Sequence, residues 1–133
     1  VDPATVMSIE AHGTSTRVGD AAELTSLSAV FGETDLARGS VALGSVKSNI
    51  GHLKAAAGTA GLFKMAMSLH QKVLTPSLNF VNPNDNVDWD AIPFAVNTTL
   101  RAWPESPHGV RRGAVRAFGF GGTNGTLVFK RVP

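Results

Sequence analysis

At 133 residues, with 43% hydrophobic and 17% charged side chains, the chain has the make-up of one globular domain or a large part of one, not of a disordered tail or a coiled coil. A net charge of +2 without any basic stripe interleaved with aromatics argues against a nucleic-acid partner. No apolar run approaches the ~18 residues of a membrane span, and the absence of cysteine excludes disulfides and thiolate metal sites. The opening Val1-Asp2-Pro3-Ala4-Thr5 has neither a Met nor the basic and apolar regions of a leader, so the sequence reads as an excised or processed piece of a cytoplasmic protein. Basic residues gather late, at Arg111, Arg112, Arg116, Lys130 and Arg131; they read as a solvated face, with an acidic protein partner as the sharper alternative.

Val6 to Ala11 alternates between Pro3 and Gly13 and predicts a strand. Asp20 and Glu23 have the D-x-x-E spacing of a helix-start capping pair, and Leu24, Leu27 and Phe31 recur at helical spacing before Gly32, which predicts a helix over 20–31. Val41 to Val46 is a short apolar run and a predicted buried strand. A second helix is expected from about Leu53 to Gln71. Leu62, Phe63, Met65, Ala66, Met67 and Leu69 cover most of its circumference, and Lys64, Ser68 and Gln71 leave one narrow polar stripe, so this helix should be largely buried. Its small-residue opening, Ala55 to Gly61, costs helix propensity and implies close packing in return.

Thr75 to Pro93 reads as a long ordered loop, Phe94 to Asn97 as a short strand, and Trp103 to Pro107 as a Pro-rich connection. Final strands are expected near Gly113–Phe118 and Thr126–Val132, on either side of a glycine loop, Gly119 to Gly125. The order βαβαββ, without internal repeats, argues for a layered α/β fold with a mixed sheet and a buried helix.

His12 follows the first strand directly; Lys47 and His52 follow the second. In open α/β sheets the binding crevice lies beyond the strand C-termini, so two histidines and a lysine there are arranged like a site. A single loop histidine is usually structural or solvated; two, each in a Gly/Ser/Thr/Asn-rich turn, shift that balance. His52 is expected at or just before the N-terminus of the long helix, where the dipole disfavours added positive charge and favours a neutral, donating imidazole. The glycine loop is followed by strand, not by the helix that a phosphate site needs, so its backbone N–H groups better suit a developing oxyanion.

These residues resemble a known family. His12-Gly13-Thr14-Ser15-Thr16 with Gly19-Asp20 is similar to the first histidine motif of β-ketoacyl synthases (ketosynthases). Lys47-Ser48-Asn49-Ile50-Gly51-His52 with the Ala/Gly helix resembles the second, and Phe118-Gly119-Phe120-Gly121-Gly122-Thr123-Asn124 resembles the C-terminal glycine loop. All three stand in family order across nearly the whole chain. Asn79 to Trp103 is similar to multidomain type I polyketide synthases and their polyunsaturated-fatty-acid relatives.

The resemblance implies a thiolase-like fold of two related halves, with residues 1–133 as a single, incomplete C-terminal unit. It implies an acyltransferase that takes an acyl group onto a cysteine from the phosphopantetheine arm of an acyl carrier protein. The enzyme then decarboxylates a malonyl-type extender and joins the enolate to the acyl thioester. His12 and His52 would donate hydrogen bonds to the extender carbonyl, and Lys47 would hold charge around them. The Phe120 N–H would form half of an oxyanion hole and its ring could gate the acyl channel. Thr14, Thr16, Asn49, Gly119, Gly121, Gly122, Thr123 and Asn124 would support these loops. No cofactor and no metal are implied; the partners would be an N-terminal half supplying the cysteine, the carrier protein, and a second copy in the complete dimer.

Three small departures accompany the match. Ser15 stands where Gly is common, Gly125-Thr126 where Ala-His is frequent, and Gly61 where discrete fatty-acid enzymes often place Glu. The larger departure is the missing nucleophile: Ser15, Ser45 and Ser48 are outside any G-x-S-x-G elbow, so the isolated chain is expected to be silent. Two alternatives are a noncatalytic structural or interaction module, which would need none of His12, Lys47 and His52, and a metal hydrolase using His12, His52, Glu10 or Asp20, which lacks H-x-H or H-E-x-x-H spacing. Half of such a domain should expose the apolar face that met its partner, making self-association plausible.

Overall fold

The computed structural model describes residues 1–131. After a 3₁₀ turn at Pro3–Thr5 come β1 (Ser8–Glu10), α1 (Arg17–Phe31), β2 (Val41–Gly44), the single turn α2 (Lys47–Ile50) and α3 (Ala57–Gln71). The remainder contributes β3 (Val73–Leu74), β4 (Phe94–Val96), β5 (Arg101–Ala102), β6 (Arg112–Phe118) and β7 (Asn124–Lys130). The main sheet has the order β4-β2-β1-β6-β7; its first four strands are parallel, and β7 returns antiparallel to β6. β3 and β5 form a small separate ribbon.

Strand alternation divides the interior into two layers. Ile9, Val41, Leu43, Phe94 and Ala114 face α1 and meet Leu24, Leu27 and Phe31. Ala42 and Val115 face the other way and pack with Met65 and Leu69 of α3 and with Trp103. Burial of each large side chain here contributes about 2–3 kcal/mol. The small residues of α3 allow the close approach that the sequence implied: a Cβ on Gly61 would lie 3.2 Å from Glu10 Cγ and 3.3 Å from Val115 Cγ1. Gly113 is fixed by the same layer, since a Cβ there would lie 2.2 Å from Met65 Sδ.

Several element boundaries move. α1 starts at Arg17, with Thr16 as a cap that makes no side-chain bond, so Asp20 and Glu23 lie inside the helix and are not its capping pair. β1 starts two residues later than predicted because Val6 still closes the Pro3–Thr5 turn, and both β1 and β2 end early because the chain turns away after Glu10 and Gly44 to build the loops described below. α3 starts at Ala57 and not near Leu53: Lys54 takes a positive φ (54°), and a 3₁₀ turn covers Lys54–Ala56 before the α-helix begins. The burial of α3 is one-sided. Phe63 and Met67 are 69% and 40% exposed, whereas Lys64 and Ser68 from the expected polar stripe face the sheet. β7 starts two residues earlier than predicted, and the predicted end at Val132 lies outside the described residues.

Candidate active site

His12 sits in the turn that leaves β1. Its N–H and that of Gly13 donate to the two carboxylate oxygens of Glu23, at 2.9 and 3.0 Å. Glu23 is buried on α1 and is held in turn by Arg116 of β6, whose Nε lies 3.9 Å from the carboxylate and whose Nη1 donates to the Glu23 carbonyl. Sequence reasoning missed this clamp, because the D-x-x-E spacing that marks Glu23 serves equally well as a helix cap. Asp20 faces the backbone N–H groups of Thr14, Ser15 and Thr16. Burial and the neighbouring Glu23 push its carboxyl up, and those N–H groups pull it back.

The turn is shaped by two residues at positive φ, Gly13 (44°) and Ser15 (61°). A Cβ on Gly13 would lie 2.9 Å from Ser45 Cβ, so the turns after β1 and β2 interlock at this point. Ser48 fixes the second turn: its hydroxyl donates to the Ser45 carbonyl at 2.7 Å and accepts the Leu78 N–H at 3.0 Å, and Asn49 Nδ2 donates to the Pro76 carbonyl at 3.2 Å. The 75–93 segment is therefore pinned to the site and ordered, as expected. Ser45 and Ser48 are engaged in this scaffolding, and neither stands in a nucleophile's elbow.

The two imidazoles meet edge to face, with ring centroids 5.8 Å apart. His12 Nδ1 accepts the Phe118 N–H at 3.3 Å, and His52 Nδ1 accepts the Lys54 N–H at 3.0 Å. An Nδ1 that accepts carries no proton, so in this arrangement the ring N–H of each imidazole sits on Nε2. His52 is exposed and stands before the 3₁₀ turn rather than at the start of α3, so a backbone N–H, and not the α3 dipole, sets its tautomer. Burial and then the Lys47 ammonium lower the His12 pKa below its ordinary 6.5, against the pull of Glu23. Half-buried Lys47 is likewise lowered by desolvation, with Glu10 and Glu23 opposing.

A cavity of about 780 Å³ opens at this edge, walled by Thr14, Thr16, Lys47, Ser48 and His52 on one side and by residues of the 77–89 loop on the other. His12 is outside its wall, beside Phe118 (ring centroids 5.2 Å apart). The glycine loop follows Phe118 and is closed by the Gly119 N–H on the Thr123 carbonyl at 2.8 Å, with Gly121 and Gly122 at positive φ. Phe120 projects from it fully exposed. Asn124 begins β7 opposite Phe118. The structure thus brings His12, His52, Lys47, Thr14, Thr16 and Asn49 to one sheet edge, with the glycine loop tethered through Phe118. It does not bring together the acidic residues of a metal hydrolase: Glu10 points into the α3 layer and Asp20 faces the loop backbone. Among the described residues no cluster of three His, Cys, Asp or Glu suits a metal ion.

Comparison with known proteins gives a consistent picture. The family model "Beta-ketoacyl synthase, C-terminal domain" matches residues 1–81. The chain is 42% identical over 130 residues to polyketide synthase PksL of Bacillus subtilis, which covers 98% of this chain and 3% of that protein. It is 41% identical over 132 residues to the pikromycin polyketide synthase component PikAIII of Streptomyces venezuelae, covering 98% of this chain and 8% of that one. Among solved structures, the ketosynthase from module 6 of the bacillaene synthase of Bacillus subtilis 168 superposes with a TM-score of 0.94 at 42% identity, over 99% of this chain and 24% of that one. The chain therefore spans about a quarter of that ketosynthase, and its sheet and helices are those of a thiolase-like C-terminal half.

Proposed function

The chain belongs to the β-ketoacyl synthase family as the C-terminal half of a type I polyketide synthase ketosynthase, and from that membership we propose that it supplies the decarboxylating, enolate-stabilising side of a condensing acyltransferase. The observation that carries this reading is the pair of imidazoles, ring centroids 5.8 Å apart, whose Nδ1 atoms are tied to backbone N–H groups and so leave Nε2–H as the donor of each ring.

A malonyl-type thioester on a carrier protein's phosphopantetheine arm would place its carbonyl oxygen between these donors. Loss of CO2 breaks the bond from the α-carbon to the carboxylate, and the electron pair moves to that oxygen as an enolate. Fixed donors aimed at a developing oxyanion stabilise the transition state more than the ground state. Lys47 adds positive potential close to His12. The enolate carbon then attacks an acyl thioester held on a cysteine of the N-terminal half; the Phe120 N–H receives the tetrahedral oxyanion, and the cysteine leaves as thiolate. No cofactor beyond the carrier-bound thioester is invoked. The N-terminal half, the carrier protein, a dimeric complete enzyme and a cytoplasmic setting belong to the same proposal; among the described residues no helix is long and apolar enough to cross a membrane.

The test is to combine this chain with an N-terminal ketosynthase half and assay condensation. Restored turnover should fall about 10²–10³-fold in His12→Ala and again in His52→Ala, the scale of a lost oxyanion donor. Binding without turnover would favour the noncatalytic module, and turnover indifferent to both histidines would overturn the roles assigned to them.

A further inference from the structure

Glu10 is the last residue of β1 and is only 3% exposed, yet it takes no part in the chemistry above. Its side chain enters the α3 layer, where Oε2 lies 2.7 Å from Lys64 Nζ. The other oxygen, Oε1, accepts the Val46 N–H, at the start of the turn that carries Lys47 and leads to His52. Lys64 reaches the same junction from α3, since its Nζ lies 3.3 Å from where a Cβ on Gly44 would stand. Gly61 leaves the room that Glu10 Cγ occupies.

A desolvated ion pair between a helix and a sheet stabilises less than well-packed apolar side chains of the same volume. This pair therefore needs a reason other than layer packing. Its geometry supplies one: a single carboxylate joins the strand end two residues before His12 to the turn bearing Lys47 and His52, and α3 holds that carboxylate in place.

We propose that Glu10 and Lys64 form a positioning pair that sets the separation of the two histidine-bearing turns, and so the aim of both Nε2–H donors at the extender carbonyl. The proposal rests on the decarboxylation reading above. Neither residue touches substrate; both act through the Val46–His52 turn. The Glu10 charge also supports the Lys47 ammonium, with Lys64 opposing it, which agrees with a shared carboxylate at this junction.

The test uses the complete ketosynthase containing this segment and separates two half-reactions: acylation of the cysteine, and decarboxylation of a malonyl-type carrier thioester. Glu10→Leu removes the Val46 anchor. It should lower kcat for decarboxylation about 100-fold, the scale of a reacting group displaced by about 1 Å, with KM and cysteine acylation unchanged. Glu10→Gln keeps an acceptor for the Val46 N–H and should recover most of that loss. Should Glu10→Leu fail to fold, the neutral double variant Glu10→Gln/Lys64→Met supplies a folded pair without charge. Its decarboxylation should fall below that of Glu10→Gln, because Lys64 no longer holds the side chain against the Val46 N–H, and equal rates in the two would overturn the part given to Lys64. Full decarboxylation by folded Glu10→Leu, or equal loss in Glu10→Leu and Glu10→Gln, would overturn the proposal. Normal decarboxylation in His12→Ala and His52→Ala would instead overturn the reading beneath it, whatever the Glu10 variants do.

Discussion

The two histidine turns are built in opposite ways. His12 is held by tertiary structure: its backbone is clamped by Glu23 from α1, and its ring is tied to Phe118, which is 106 positions away in sequence. His52 is exposed, and beside its edge contact with His12 its ring accepts its hydrogen bond locally, from the N–H of Lys54 two residues along. The first donor is thus preset by the packed sheet and α1. The second depends on a local turn between α2 and α3, together with the contacts that hold that turn to its surroundings. Local bonds near solvent open at lower free energy than those buried between elements, so the pair combines one rigid donor with one adjustable donor.

The largest expected effect tests whether that rigidity resides in Glu23. Glu23→Ala leaves the part-buried N–H groups of His12 and Gly13 without their acceptor and takes the carboxylate away from Arg116, which keeps the Glu23 carbonyl and the Ser26 hydroxyl, and it should cost about 3 kcal/mol. Denaturant unfolding would measure this, and hydrogen exchange at Gly13 should rise toward that of the His52 turn. A loss under about 1 kcal/mol would mean the His12 turn stands without its clamp.

A smaller effect sharpens the comparison through protonation. The His12 pKa is lowered on folding, so its neutral form is the one the fold favours. Between the lowered folded value and the ordinary 6.5 the unfolded chain binds more protons, so this contribution is complete above pH 6.5 and is lost as pH falls through the folded pKa. An NMR titration should give a His12 midpoint below 6.5. Burial is the larger cause, so Lys47→Met should restore only the minor part of the depression. Full restoration would assign the shift to charge instead.

The smallest effect concerns the shape of the His12 turn. Ser15 holds φ at 61°, a region costly for a residue with a Cβ, and Ser15→Gly should stabilise by up to about 1 kcal/mol without altering the half-reactions. Destabilisation would show that the serine hydroxyl holds the loop.

Much of the site was legible in sequence because its demands are local. Gly13, the histidines after two strands, and a glycine loop followed by strand instead of helix each leave a mark within a few residues. What escaped depends on contacts between distant segments. Glu23 carried a helix-cap spacing that concealed its role across the His12 turn. Glu10 and Lys64 become partners only when α3 lies on β1. The start of α3 was hidden because Ala-rich sequence favours helix regardless of the left-handed break at Lys54. Its exposed side was misjudged for a different reason: hydrophobicity at Phe63 and Met67 records an apolar surface, not what covers it.

The narrow gap between Gly61 and Glu10 carries a consequence for anyone recombining such domains. Any side chain at position 61 would contend with the Glu10 side chain for the same volume, so the two positions should be inherited together although they lie on separate elements. A chimera joined between β1 and α3 would part them, and its success should depend on the residues that meet at this gap more than on overall similarity of the parents.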